Sequence, residues 1–222
     1  MKNILLTLIL FLGSDKTERF ELKKEINFFH SLVYDKSSNG LKNAFNSSIQ
    51  IFSMNQYGIS SGTGNLLRFN GQDIIITANH VIKDNLFLIG YEKNNNKIGL
   101  TVIFEDPIKD IAILKPNEPT TVTDAVLFRQ SVKGLIGSKV YHCGHPVGTA
   151  FNTSDGMITS ITSTHYIIDS FSLPGTSGSV VFDEDGRVVG VILSIFIYED
   201  HPIPNIVLVT PLDFKYLSNS LK

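Results

Sequence analysis

The chain has 222 residues, 42% of them apolar, which is enough to bury a substantial core in one domain or in two closely packed halves. Nineteen basic residues against 21 acidic ones leave a formal charge of −2 with no basic stripe, which argues against a phosphate-tracking surface and against nucleic acid as a partner. A single cysteine, Cys143, excludes an internal disulfide framework.

The N-terminus opens with Lys2 and an apolar run of nine residues from Ile4 to Leu12. Nine residues are too few to cross a bilayer as a helix and suit the apolar centre of a secretory signal. Residues 1–14 are therefore expected to be a signal peptide or an uncleaved apolar anchor, with a strand packed in the core as the structural alternative. An export signal on a chain with one cysteine points outside the cytoplasm, to a secreted or bacterial envelope (periplasmic) protein, with no stable membrane embedding beyond that segment.

Residues 15–43 read as a helical extension: Leu22, Ile26, Phe29 and Val33 recur at four, three and four, the stripe of an amphipathic helix. Asp15 with Glu18 resembles a cap, and Ser37-Ser-Asn-Gly40 reads as a stop. From residue 44 the pattern changes to short β-branched and aromatic runs separated by Gly, Asn, Asp and Pro: 49–52, 65–69, 73–77, 86–89, 99–104 and 111–114. A connector with Pro116 and Pro119 covers 115–124. Strands resume at 139–142, 157–161, 165–168, 180–182, 188–193 and 206–209, with a turn at Asp183-Glu-Asp-Gly186 and a short final helix from Pro211 to Leu217. The fold expected is all-β: two antiparallel six-stranded β-barrels, one over about 44–120 and one over about 125–217.

Three segments carry chemistry. The strand Ile74-Ile-Ile-Thr-Ala78 ends just before His80, Asp110 precedes the apolar run Ile-Ala-Ile-Leu114, and Ser177 lies between Gly175-Thr and Gly178. A serine hydroxyl is a poor nucleophile until an imidazole takes its proton, and the imidazole needs a carboxylate to hold its tautomer. Asp106 and Asp84 compete for that role; Asp110 is preferred because it abuts the strand, whereas Asp106 precedes Pro107 in a turn. Gly175 lets its own N–H and that of Ser177 point at one spot, an oxyanion site. His142, Cys143 and His145 match no standard zinc spacing, so no metal is expected. Cys143 is not expected to be a nucleophile, and Asn46-Ser-Ser and Asn152-Thr-Ser are read as chance glycosylation patterns.

Thr77-Ala-Asn-His-Val-Ile82, Asp110-Ile-Ala-Ile-Leu114 and Pro174-Gly-Thr-Ser-Gly-Ser179 together resemble the three motifs of trypsin-like (chymotrypsin-fold) serine peptidases, nearest the HtrA-like (Deg-like) protease domain. Ser61-Gly-Thr-Gly64, Gly144-His-Pro-Val-Gly148, Gly186-Arg-Val-Val-Gly-Val191 and Val209-Thr-Pro-Leu-Asp213 extend the similarity, which covers 44–217. The resemblance implies a serine endopeptidase acting on protein or peptide substrates without a cofactor, with His80, Asp110 and Ser177 as catalytic triad and the N–H groups of Gly175 and Ser177 as oxyanion hole. It also implies a primary specificity pocket lined by Phe171, Ser172, Leu193, Ser194 and Ile195. No acidic residue lies among these five, so small or medium apolar residues are expected on the acyl side of the cut. The chain departs from the pattern at Ser179, where the family commonly has glycine, and at Thr176, where zymogen-activated trypsins have aspartate. No activation site and no room for an appended PDZ domain are expected. The contrasting reading is a catalytically silent relative that uses the same barrels as a protein-binding module.

Overall fold

Three consecutive isoleucines, Ile74 to Ile76, set the packing problem. Successive side chains on a strand point to opposite faces, so such a strand is stable only if both faces are covered. A computed structural model, which describes residues 37–56, 58–120, 127–129 and 135–221, solves this with two closed barrels laid against each other. The expected signal segment and most of the 15–43 helix lie outside the described residues.

The first barrel is built from β1 (Ser48–Asn55), β2 (Gly58–Phe69), β3 (Gln72–Ala78), β4 (Phe87–Tyr91), β5 (Lys97–Asp106) and β6 (Ile111–Pro116), in the order β1-β2-β3-β6-β5-β4. The second contains β7 (Lys139–Gly144), β8 (Asn152–Ile161), β9 (Tyr166–Ser170), β10 (Val180–Asp183), β11 (Val188–Tyr198) and β12 (His201–Pro211), in the order β10-β11-β12-β9-β8-β7. Every strand pairing is antiparallel.

The strands at the seam give some residues to their own barrel's interior and their neighbours to a core between the barrels. Ile75, Ala112 and Leu114 fill the first barrel. Val181, Val189 and Ile192 fill the second. Their neighbours Ile74, Ile76, Ile111, Ile113, Val180, Phe182 and Val188 face a third cluster, which joins the barrels. Continuous apolar runs thus mark strands that have a barrel interior on one side and the seam on the other.

Two helices close over the seam. Ser38 caps α1 (Asn39–Ser47) by accepting from the Leu41 N–H, so Ser37–Gly40 opens a helix where the sequence reads as a stop. The cause is tertiary: a Cβ at Gly40 would collide with the Asp183 carbonyl, and Asn43 Nδ2 donates to the Gly186 carbonyl at 2.9 Å, so α1 is held by the β10–β11 turn. At the other end Pro211 closes β12 instead of opening a helix; Asp213 caps α3 (Phe214–Ser220) through the Tyr216 N–H. The β11–β12 hairpin outruns its expected ends because its turn is Glu199-Asp200, both with positive φ, and no Asn-Gly or Asp-Gly pair announces it.

Phe182 is fully buried at the seam. Phe182→Ala is expected to lower the unfolding free energy by about 3–5 kcal/mol, as for other buried aromatic truncations. Urea unfolding followed by circular dichroism measures this; a loss under about 1 kcal/mol would mean the seam is not a shared core.

Candidate active site

β3 and β6 are neighbours, with Ala78 opposite Ile111, so the residues just past one strand meet those just before the other. His80 leaves β3 on a single helical turn, α2 (Asn79–Ile82). Asp110 sits at φ +54, a left-handed conformation that aspartate tolerates better than most residues. From there it grips the turn at three points: its carbonyl accepts the Asn79 N–H at 3.1 Å, Oδ1 accepts the His80 N–H at 2.8 Å, and Oδ2 accepts His80 Nδ1–H at 2.6 Å. The last bond assigns the proton to Nδ1 and leaves Nε2 as the ring's acceptor. The His80 side chain remains 47% exposed, open to an incoming group.

The competing carboxylates are engaged or displaced. Asp84 is exposed in the turn after α2. Asp106 accepts the N–H groups of Ile108 and Lys109 on Oδ1 and the Tyr216 hydroxyl on Oδ2 at 2.8 Å. Burial alone would raise its pKa, but the bonds from Lys109, Tyr216 and Ile108 outweigh it and pull the carboxyl below its ordinary range.

The turn that carries Ser177 comes from the second barrel and docks on the first. The Thr63 N–H donates to the Ser177 carbonyl at 2.9 Å, and Thr63 Oγ1 donates to the Gly175 carbonyl at 2.7 Å. Gly178, at φ +89, lies so close to the Thr63 carbonyl, Thr77 Oγ1 and the Ala78 nitrogen that any side chain there would collide with β2 and β3. This sets Ser177 beside the strand end from which His80 emerges. Among the described residues the half-buried Ser177 hydroxyl makes no hydrogen bond, so its contact with the imidazole is not formed in this arrangement.

Gly175 has φ +103 and packs against the His145 carbonyl, where a Cβ would not fit. Around it, the Thr176 N–H donates to the Leu173 carbonyl, the Gly178 N–H to the Ile192 carbonyl and the Ser179 N–H to the Thr176 carbonyl. The Gly175 and Ser177 N–H groups have no acceptor among the described residues. Two N–H groups without a protein acceptor, in an otherwise bonded turn, are of the kind that can stabilise a negatively charged oxygen.

The five expected pocket residues are not all gathered. Ser172 is buried and its N–H donates to the Pro204 carbonyl, while Ser194 and Ile195 pair with Leu208 and Val207 on the same strand, β12. Phe171 faces the other way, 51% exposed, in an open depression of about 570 Å³ shared with Met157, Asp169 and Asn205 and not lined by Leu193, Ser194 or Ile195. Alternation explains it: Ser170 and Ser172 turn inward, so the residue between them turns out.

His145 enters the site as a support, a role not visible in sequence. It is fully buried; Nδ1 accepts the Phe151 N–H at 3.2 Å, and Nε2–H donates to Ser48 Oγ at 3.1 Å, which donates in turn to the Cys143 carbonyl. Its backbone N–H donates to Thr63 Oγ1 at 3.0 Å, the same oxygen that holds Gly175. His142 instead donates from Nε2 to Ser170 Oγ at 2.9 Å, and Cys143 is sealed in the seam with its thiol pushed up to about 12 by burial. The Ser61-Gly-Thr-Gly64 motif was the one signal for Thr63.

The sequence matches the trypsin-like peptidase domain family over residues 62–191, more than half of the chain. It is 30% identical over 146 residues to a probable periplasmic serine endoprotease, DegP-like, of Bartonella henselae, covering 62% of this chain and 28% of the relative. It is also 30% identical over 149 residues to the serine protease Do-like HtrA of Lactococcus lactis subsp. cremoris, covering 60% of this chain and 36% of the relative. The chain thus spans about a third of the length of these relatives. Among solved structures, the fold is similar to the serine endoprotease from Yersinia pestis, with TM-score 0.68 and 19% identity over 82% of this chain and 63% of that one. It is also similar to a protease from M. tuberculosis in its active form, with TM-score 0.66 and 21% identity over 80% of each chain.

Burial lowers the pKa of His145 from 6.5 to about 3 and that of His142 from 6.5 to about 4. Above pH 6.5 both rings are neutral folded or unfolded; between about 4 and 6.5 only the unfolded chain takes up their protons. Stability should therefore fall as pH falls through this window, by up to about 2.7 kcal/mol per pH unit for two protons. Urea unfolding between pH 4.5 and 7 tests this, and His145→Asn should remove about half of the slope. An unchanged slope would show that His145 is not buried neutral.

Proposed function

Since the chain belongs to the trypsin-like peptidase family, we propose that it is a serine endopeptidase in which Ser177 is the nucleophile, His80 the general base and acid, and Asp110 the residue that orients the imidazole. The observation that carries this reading is the two-point grip of Asp110 on His80, through the backbone N–H and Nδ1, which leaves Nε2 free to accept a proton.

In the reaction, Ser177 Oγ attacks the peptide carbonyl carbon while its proton passes to His80 Nε2, and the carbonyl oxygen becomes an oxyanion facing the N–H groups of Gly175 and Ser177. The imidazolium then protonates the leaving amine, and the acyl enzyme is hydrolysed when water attacks with His80 again as base. Each oxyanion donor is worth roughly 2.7–4 kcal/mol in such sites. The His80–Ser177 hydrogen bond left open in the resting arrangement is one that commonly tightens only when substrate is present.

The buried Ser172 and the edge Leu193-Ser-Ile195 offer no carboxylate for a basic side chain, which supports a preference for small or medium apolar residues on the acyl side. Phe171 lines the open depression that it shares with Met157, Asp169 and Asn205. The naming of the Bartonella relative as periplasmic supports a place in the cell envelope.

A fluorophosphonate probe tests the chemistry. The wild type should be labelled and Ser177→Ala should not; Asp110→Asn should lower kcat by about 10⁴ with the fold intact. Failure of the folded wild type to label would favour a binding module. A peptide library should be cut after Ala, Val or similar residues, and cleavage mainly after Lys or Arg would refute the apolar pocket.

A further inference from the structure

The two N–H groups assigned to the oxyanion are each one end of a planar trans peptide, and in such a peptide the carbonyl at the other end points the opposite way. Whatever holds that carbonyl aims the N–H. For Gly175 the partner is the Pro174 carbonyl, which accepts the Val147 N–H at 2.8 Å. For Ser177 it is the Thr176 carbonyl, which accepts both the Ser179 N–H at 3.1 Å and Ser179 Oγ at 2.7 Å.

The side-chain bond is the shorter of the two on Thr176, and it is made in a dry place, since Ser179 is 0% exposed. The hydroxyl has a second carbonyl within reach, that of Cys143 at 3.2 Å, which fixes its rotamer across β7. Gly144 makes room for it: a Cβ there would lie 3.0 Å from Ser179 Oγ and 2.8 Å from Thr176 Cγ2. The flanking residues Gly175 and Gly178, at φ +103 and +89, are the two whose backbones turn most freely, so the peptide between them needs a tether from outside the backbone.

We propose that Ser179 is a positioning residue for the oxyanion site: its hydroxyl grips the Thr176 carbonyl and thereby holds the Ser177 N–H toward the developing negative charge. This rests on the serine-peptidase reading above. Ser179 touches no substrate atom; it acts through the Thr176–Ser177 peptide. Its effect therefore belongs in the transition state, where the oxyanion exists, and not in substrate binding.

The test compares wild type, S179A and S179G, both substitutions being smaller than serine and free of clashes. Fluorophosphonate labelling rates are measured with kcat and KM on the best peptide from the cleavage library, and thermal unfolding verifies the fold. Both variants should label about tenfold more slowly and lose about tenfold in kcat at unchanged KM, a fraction of the 10²–10³ that follows complete loss of a donor. Labelling and kcat at wild-type levels in both variants would overturn the role of Ser179 and leave the peptidase reading standing. So would a loss confined to KM, or one that merely tracks unfolding in both variants. A folded wild type that neither labels nor cleaves would overturn both readings together.

Discussion

The fold depends on one constraint: the strands that carry the candidate catalytic residues at their ends are buried on both faces. β3, β6, β10 and β11 each give alternate side chains to a barrel interior and to the seam between barrels. His80 and Asp110 leave the ends of two of these strands, and Ser177 leads into a third. The candidate site is therefore assembled by the same packing that joins the barrels. Polar bonds add direction to this apolar contact. Thr63, fully buried on β2, binds Ser177, Gly175 and His145 with its N–H and hydroxyl, and its carbonyl accepts Thr77 Oγ1 at 2.6 Å. Each polar group of Thr63 has a partner, which is what makes a buried network rigid and not costly.

Asp110 is held from both barrels as well. The turn that precedes it is tied down by Asp106, whose carboxylate binds Tyr216 of α3, and by the Lys109 carbonyl, which accepts Thr210 Oγ1 of β12 at 3.0 Å. Lys109 Nζ lies 3.8 Å from the centre of the Tyr216 ring, a cation–π contact on the same helix. Burial and the bond to Asp106 push the Tyr216 hydroxyl well above the ordinary phenol range, so it stays a donor at any working pH. α3 thus braces the turn that carries Asp110, the carboxylate proposed to orient His80. Asp106, the competing carboxylate in the sequence, instead braces the turn that leads to Asp110.

What could be read in the sequence follows from how local the cause is. The core of each strand was legible because period-two burial and unbroken apolar runs are properties of adjacent residues, and the motifs around His80, Asp110 and Ser177 were legible because each is a strand end with its turn. The start of α1 was not, because what makes Ser38 a cap and Gly40 a helical residue is the β10–β11 turn, more than a hundred residues away. The exposure of Phe171 was not legible, because a family pattern assigns positions to a pocket without saying which face the strand presents. The bonds of His145 and Ser179 are hidden from the sequence because their partners, Ser48, Phe151, Cys143 and Thr176, are connected to them by no spacing rule.

Asp110 and Val147 both have positive φ, +54 and +52. For aspartate this is tolerated, but for a β-branched residue it is a true outlier, of a kind that costs on the order of 1–3 kcal/mol and persists only where the surroundings dictate it. Around Val147 they do: its N–H is committed to the Pro174 carbonyl, the preceding His145 is locked by Ser48, Phe151 and Thr63, and the Thr149 N–H returns to the Pro146 carbonyl. Val147 is thus strained beside the peptide whose far end is the Gly175 N–H. The strain therefore lies beside one of the two N–H groups proposed to receive the oxyanion, and the bonds around His145, Pro146 and Pro174 are what sustain it.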